Sequence, residues 1–177
     1  MDLREKKTKK NIRNAFLQLR AHKPLERISV KELAELAEIS KATFYLHYHD
    51  IYDLSEHLQN EVIKDIIDSV SQADLYMTDI KKFHEKLIQA FYSHQTLIDI
   101  LFSGSQASVL PINIEKALKE YIFDLMPEKK EDAGFNTLLS YQIQGGYYAF
   151  HENYKKFGME KVAETIDEIV QLLHVLG

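Results

Sequence analysis

The sequence predicts an all-α chain, and three observations carry that prediction. Only 3 prolines and 6 glycines occur among 177 residues, too few for the turn-rich pattern of an all-β fold. Apolar residues recur every three or four positions along most of the chain, the period of a helix that buries one stripe. The alternating apolar and polar runs that mark half-buried strands are scarce. The chain is long enough for a sizeable core, and its lack of cysteine excludes disulfides and thiolate metal sites. No uncharged apolar run approaches the length of a membrane span, and the basic N-terminus is not followed by a signal-like apolar core. The expected location is therefore cytoplasmic, with no membrane partner.

About nine helices are expected, three small ones followed by longer ones. Ile12, Ala15, Phe16 and Leu19 form the stripe of the first, which His22-Lys23-Pro24 ends, because the residue before proline is pushed out of the α region. Ser29-Val30-Lys31-Glu32 reads as a capping box that opens the second helix. Its inward positions are Leu33, Leu36 and Ala37, and Glu38-Ile39 makes the turn that follows. Ser40 caps a third helix, from 41 to about 48, held by Phe44 and Tyr48. Asp50 caps a long fourth helix on which Ile51, Leu54, Leu58, Val62, Ile66 and Val70 repeat. A weak break is expected from Gln72 to Met77, with Thr78 as the next cap before the stripe Ile80, Phe83, Leu87 and Phe91. Ser103-Gly104-Ser105 is a loop signal. Pro111 suits the first turn of a helix carrying Ile114, Leu118, Tyr121, Ile122 and Leu125. After a charged connector, two final helices span roughly 133–156 and 159–176, separated by Phe157-Gly158. Two domains are expected, 1–49 and 50–177, bridged by the long fourth helix.

Charge divides along the same line. Residues 1–50 hold 11 Lys+Arg against 7 Asp+Glu, a balance of +4, while 51–177 hold 11 against 20, a balance of −9. A basic N-terminal part on an acidic body suits a polyanion held at one end. The third helix has the side chains that a helix in the DNA major groove needs: short ones near its start and hydrogen-bonding ones beyond. Lys41 can donate to guanine acceptors or to phosphate. The methyl groups of Ala42 and Thr43, and Leu46 further on, can meet a thymine methyl. Tyr45 and His47 carry donors that suit phosphate oxygens, and amides at the starts of the second and fourth helices can each take a phosphate.

The stretch from Ile28 to Tyr48, above all Ser40-x-x-Thr43-Phe44-Tyr45-x-His47-Tyr48, resembles the DNA-binding domain of the tetracycline-repressor (TetR) family of transcriptional regulators. The resemblance covers about residues 8–56. It implies a homodimer that binds double-stranded DNA, with the last two helices forming the dimer interface and a helical C-terminal domain that holds a small effector. Carried over, Lys41, Thr43, Tyr45 and His47 contact DNA, helped by Ser29, Lys31 and Ser40, with Ala42 in the same first turn. The implied function is repression of a palindromic operator, relieved by a small-molecule effector. The competing reading keeps the fold but makes it a co-activator or protein-interaction module without an effector pocket. Two positions depart from the family pattern: Glu38 stands where glycine is usual in the turn, and Ile51 where a phosphate-facing lysine is common.

The C-terminal two-thirds says less. Its aromatics suit helix packing first and a ligand pocket second. Gln142, Gln144, Gly145 and Gly146 form a small polar patch inside an apolar helix, for which close packing is favoured over a ligand. The candidate effector residues are Gln142, Gly146, Tyr147, Phe91, Phe102 and Tyr121. The eight histidines show no convincing metal-ligand spacing, no glycine-rich phosphate loop occurs, and Ser103-Gly104-Ser105 has no strand before it. Neither a cofactor nor an enzymatic activity is expected.

Overall fold

The computed structural model describes residues 3–71 and 75–174. Ten α-helices and three short 3-10 turns make up the regular structure of the described residues, with no strand among them. The helices are α1 (Leu3–Arg20), α2 (Val30–Leu36), α3 (Lys41–Tyr45), α4 (Ile51–Ser71), α5 (Leu75–Thr78), α6 (Ile80–Ser93), α7 (Gln95–Leu101), α8 (Val109–Leu125), α9 (Ala133–Phe157) and α10 (Met159–His174). None of them alone is long and apolar enough to cross a membrane.

The all-α expectation holds, and the count rises from nine to ten. Part of the Gln72–Met77 break lies outside the described residues, and 75–78 form the short α5. Asp79, not Thr78, caps the next helix: its carboxylate accepts from the Lys82 amide at 3.0 Å. The reason is that α5 runs through Thr78, and the Asp79 amide closes it by donating to the Leu75 carbonyl at 2.8 Å. The third helix is also shorter than expected. α3 ends at Tyr45, with Leu46 as its C-cap, and Tyr48 follows on a further turn of chain. The last helix was expected to reach Leu176, which lies outside the described residues.

The chain divides into two compact units, residues 1–62 with 95–109, and residues 63–94 with 110–177. In the first, α1 packs on α2 and α7, and α2 packs on α3. Its buried side chains include Ile12, Phe16, Leu25, Leu33, Phe44, Leu54 and Leu101. Burial of one such side chain contributes roughly 1.5–3 kcal/mol, so helices of seven and five residues persist here although neither would survive alone.

Two buried polar side chains tie α7 and the loop after it into this unit. Arg20 donates from Nη1 to the Lys23 carbonyl at 3.0 Å and from Nη2 to the Ser103 carbonyl at 2.7 Å. Burial pulls its guanidinium below the ordinary arginine value, and the Glu26 charge opposes that shift. Gln59 donates to the Leu101 carbonyl at 3.0 Å, and at the surface the Ser105 hydroxyl donates to the Glu26 carboxylate.

In the second unit α10 packs on α9 and α6, and α5 packs on α6. One polar cluster joins α8 to α9. Glu115 accepts at Oε1 from Lys119 Nζ (2.8 Å) and Ser140 Oγ (2.6 Å), and at Oε2 from Gln144 Nε2 (2.7 Å). Those three bonds, Lys119 first, pull the Glu115 carboxyl from its ordinary 4.5 down to about 2. A depressed folded-state value means that the stabilisation is fully present above the unfolded value and is lost as pH falls through about 2. Glu115→Gln is expected to cost about 1–2 kcal/mol at pH 7. In urea titrations, wild type and variant should converge as the pH is lowered from about 4.5 towards 2. Equal stability at neutral pH would remove this cluster from the account.

Candidate nucleic-acid interface

The α2–α3 pair is built from local capping. Ser29 Oγ accepts from the Glu32 amide at 3.2 Å and so starts α2. Only half of the expected capping box forms, because the Glu32 carboxylate is taken by Lys23 Nζ. Leu33 and Ala37 are buried as expected, but Leu36 is 41% exposed. Position 36 falls on the edge of the stripe that Leu33 and Ala37 define, three positions after one and one before the other.

α2 ends in a Schellman motif. The Ile39 amide donates to the Ala34 carbonyl at 3.0 Å and the Glu38 amide to the Glu35 carbonyl at 3.2 Å. Glu38 is the residue that must turn left-handed, and its φ is 56°, the one positive value among described non-glycine residues. The turn thus keeps the geometry usually given to glycine and carries a strain of roughly 1–2 kcal/mol. Glu38→Gly is expected to stabilise the fold by about 0.5–1 kcal/mol, after allowing for the greater freedom of glycine in the unfolded chain. Thermal unfolding should show a rise of a few degrees; a fall would mean that the Glu38 side chain has a role of its own.

Ser40 then starts α3. Its Oγ accepts from the Thr43 amide at 3.0 Å and lies 2.8 Å from the Thr43 hydroxyl. The Thr43 oxygen is therefore engaged locally, which leaves its methyl as the group with outward chemistry. Phe44 is fully buried and packs edge-on to Tyr45 (5.5 Å) and tilted to Tyr48 (5.8 Å). With Phe44 pinned inward, Lys41 and Ala42 are exposed, and Tyr45 and Leu46 are 56% and 81% exposed. His47 and Thr43 are half-buried. Lys41 has no ion-pair partner among the described residues, whereas Lys31 lies 4.0 Å from Glu35. Ser29, Lys31 and Ser40 are exposed at the surface of the same unit.

The start of α4 has its own reciprocal cap. The Asp53 amide donates to Asp50 Oδ1 at 2.8 Å, and Asp53 Oδ2 accepts from the His49 amide at 2.7 Å. Ile51 is buried at 5% exposure, so the position where a lysine is common serves the core instead. Tyr52 is the side chain that this first turn presents, at 54% exposure, and the sequence reading passed over it. The signal was available: a stripe through Ile51, Leu54 and Leu58 leaves 52 pointing away. Within the basic N-terminal helix, Lys9 pairs with Glu5 and Arg13 with Glu61, at 3.2 and 3.4 Å, and Arg4, Lys6, Lys7 and Lys10 are exposed.

The candidate effector residues divide between the units. Phe102 is buried in the first, at 5% exposure. Phe91, Tyr121, Gln142, Gly146 and Tyr147 belong to the second and are half-buried. Tyr121 stacks on Phe83 at 6.1 Å. Burial pushes the Tyr147 hydroxyl above its ordinary value of 10. Gln142 Nε2 is buried without a hydrogen-bond acceptor among the described residues. A Cβ placed on Gly146 would meet Ile166 Cγ2 of α10 at 3.7 Å, an ordinary contact, and one on Gly145 would meet nothing within 4 Å. Close packing inside the chain therefore does not require either glycine. No group of three metal-ligating side chains lies together among the described residues.

A helix-turn-helix followed by a helical second unit defines the class of this chain. No family model and no curated protein matches it. Among solved structures it is similar to a protein from Shewanella sp. PV-4, assigned provisionally to the TetR family of transcription regulators. That match has a TM-score of 0.56 and 16% identity, covering 92% of this chain and 95% of that one. It is also similar to the fatty acid degradation regulator FadR from Bacillus halodurans, with a TM-score of 0.53 and 15% identity over 94% of each chain. Likeness at these identities speaks to the fold: the chain has the fold of a TetR-family transcription regulator.

Proposed function

We propose that this protein is a DNA-binding transcriptional regulator, a homodimer that represses from a palindromic operator and is released by a small-molecule effector. The observation that carries the reading is the surface of α3. Lys41, Ala42 and Tyr45 stand exposed on a five-residue helix whose Phe44 is fully buried, and Leu46 is exposed at its C-cap. No core demands these exposed side chains, and together they offer a cation, methyl groups and a phenol to a major groove. Thr43 and His47 flank the same surface, Ser29, Lys31 and Ser40 supply outer contacts, and Lys6, Lys7 and Lys10 add phosphate charge. Tyr52 takes the outward place in the first turn of α4 and offers its hydroxyl to phosphate.

A dimer formed through the last two helices sets two copies of α3 about 34 Å apart, or a multiple, so that they meet successive turns of one DNA face. The effector is an oxygen-bearing small molecule whose acceptor satisfies Gln142 Nε2, and Gly146, Tyr147, Phe91 and Tyr121 of the same unit are its other candidate contacts. It acts by binding the released state more tightly than the DNA-bound state, with α4, which runs through both units, as the connecting element.

Fluorescence anisotropy of the full-length protein on the duplex upstream of its own coding region tests the reading. Binding should weaken steeply as salt rises, because Lys–phosphate contacts release counterions. A flat salt response, or no binding at low salt, would favour a protein-interaction module on the same fold.

A further inference from the structure

Phe44 fixes how α3 is turned, because it is the one fully buried side chain of that helix. A helix turns about 100° per residue, so the positions two before and two after an anchored side chain point away from the core. Here those positions are Ala42 and Leu46, and both are exposed. Leu46 is the C-cap, but its backbone is still helical (φ −71°, ψ −19°), and its amide donates to the Ala42 carbonyl at 3.2 Å. It therefore keeps the register of α3. At 81% exposure it is, after Leu3, the most exposed large apolar side chain among the described residues.

The polar groups stand to either side of this outward line. By the same rotation Lys41 and Tyr45 fall on one flank, and Thr43 and His47 on the other. Neither α3 nor its C-cap carries a carboxylate or a carboxamide, the groups that pair with cytosine N4 or with adenine N6 and N7. The Thr43 hydroxyl is already engaged with Ser40 Oγ. A helix seated in a major groove with Ala42 and Leu46 innermost thus meets the base edges with hydrocarbon, while its flanks face the two phosphate backbones. The one methyl group that an unmodified base pair shows in that groove is the C5-methyl of thymine. Ala42 lets the helix approach, and Leu46 reaches further one turn on. The flanking Lys41, with Lys6, Lys7 and Lys10 exposed in the same unit, suits a polyanion as the occupant of this face.

We propose that Leu46 is a specificity-determining residue that packs on the C5-methyl group of one pyrimidine in each half-site, so that this position is read by its methyl group and not by hydrogen bonds. Thymine supplies the methyl, and 5-methylcytosine, which carries it on the same carbon, substitutes for it. This rests on the reading of α3 as the DNA-contacting helix and adds what that helix selects.

The probe is the tightest-binding duplex that the protein retains from a random double-stranded DNA library. Replacing its thymines by deoxyuridine, one position at a time and in both half-sites together, removes the methyl and nothing else. One buried methyl group is worth about fourfold in affinity, so at one position the paired change should weaken binding about fifteenfold. Leu46→Ala should erase that difference and bind the thymine and deoxyuridine duplexes alike. Its exposure predicts an unchanged fold, which helical circular dichroism checks. Cytosine at the same position should weaken wild-type binding and 5-methylcytosine should restore most of it, an arm that needs no variant. No loss with deoxyuridine at any position, a loss that persists in Leu46→Ala, or no recovery with 5-methylcytosine would overturn the methyl reading and leave α3 as the DNA-contacting helix. Retention of no preferred duplex would overturn both.

Discussion

The double variant Lys41→Ala, Tyr45→Ala is expected to lose specific DNA binding by a factor of about 100 or more while its unfolding transition stays where the wild type has it. Both side chains are exposed, and no ion pair among the described residues holds Lys41, so stability has little to lose; exposed substitutions usually move it by less than about 0.5 kcal/mol. A base or phosphate contact is worth roughly 1–3 kcal/mol, and in a dimer each substitution is counted twice. Two removed contacts per copy therefore exceed a hundredfold in affinity even when each sits at the lower end of that range. Anisotropy on the operator, beside a urea titration, gives both numbers. Undiminished binding would place the reading surface elsewhere. An equal loss of folding would show that Tyr45 anchors α3 through its edge contact with Phe44.

The converse substitution is Phe44→Ala, for which a stability loss of about 3–5 kcal/mol is expected. Phe44 is fully buried and is the one side chain of α3 that is. A five-residue helix has no stability of its own, so α3 exists because Phe44 holds it to the unit and Tyr48 closes over the same ring. Emptying that site removes the ring from the core and also releases the surface that carries Lys41 and Tyr45. The urea midpoint should drop markedly, and DNA binding should disappear at temperatures where the second unit is still folded. Phe44→Leu, which refills most of the volume, should recover most of both. A small stability loss in the alanine variant would mean that α3 is held by something other than its aromatic anchor.

The parts of this fold that were legible in the sequence are those decided within a few residues. Ser29, Ser40 and Asp50 cap the helices they precede, because a hydroxyl or carboxylate three positions before an amide needs nothing else. Phe44 and Tyr48 read as anchors because a short helix with one aromatic stripe has no other use for them. What distant chain decides was not legible. The closure of 95–109 with the N-terminal residues depends on Arg20 reaching Ser103 and Gln59 reaching Leu101. An arginine and a glutamine among apolar neighbours read as ordinary surface residues until those carbonyls are in view. Thr78 and Asp79 are both cap-forming residues side by side, and only the existence of α5 chooses between them. Glu38 is the instructive case. The departure from glycine was visible, but whether the turn would change shape or bear the strain depended on the two hydrogen bonds of the α2 terminus, and it bears the strain.

If α3 reads duplex DNA and two copies do so together, selection of the protein against a random double-stranded DNA library, followed by sequencing of the retained duplexes, will show it. The expected result is one enriched sequence made of two inverted half-sites with centres about 10 base pairs, or a multiple, apart, and its loss from the pool selected with the Lys41→Ala, Tyr45→Ala variant. Absence of any enriched sequence, a single unrepeated half-site, or the same enrichment with the variant would contradict it.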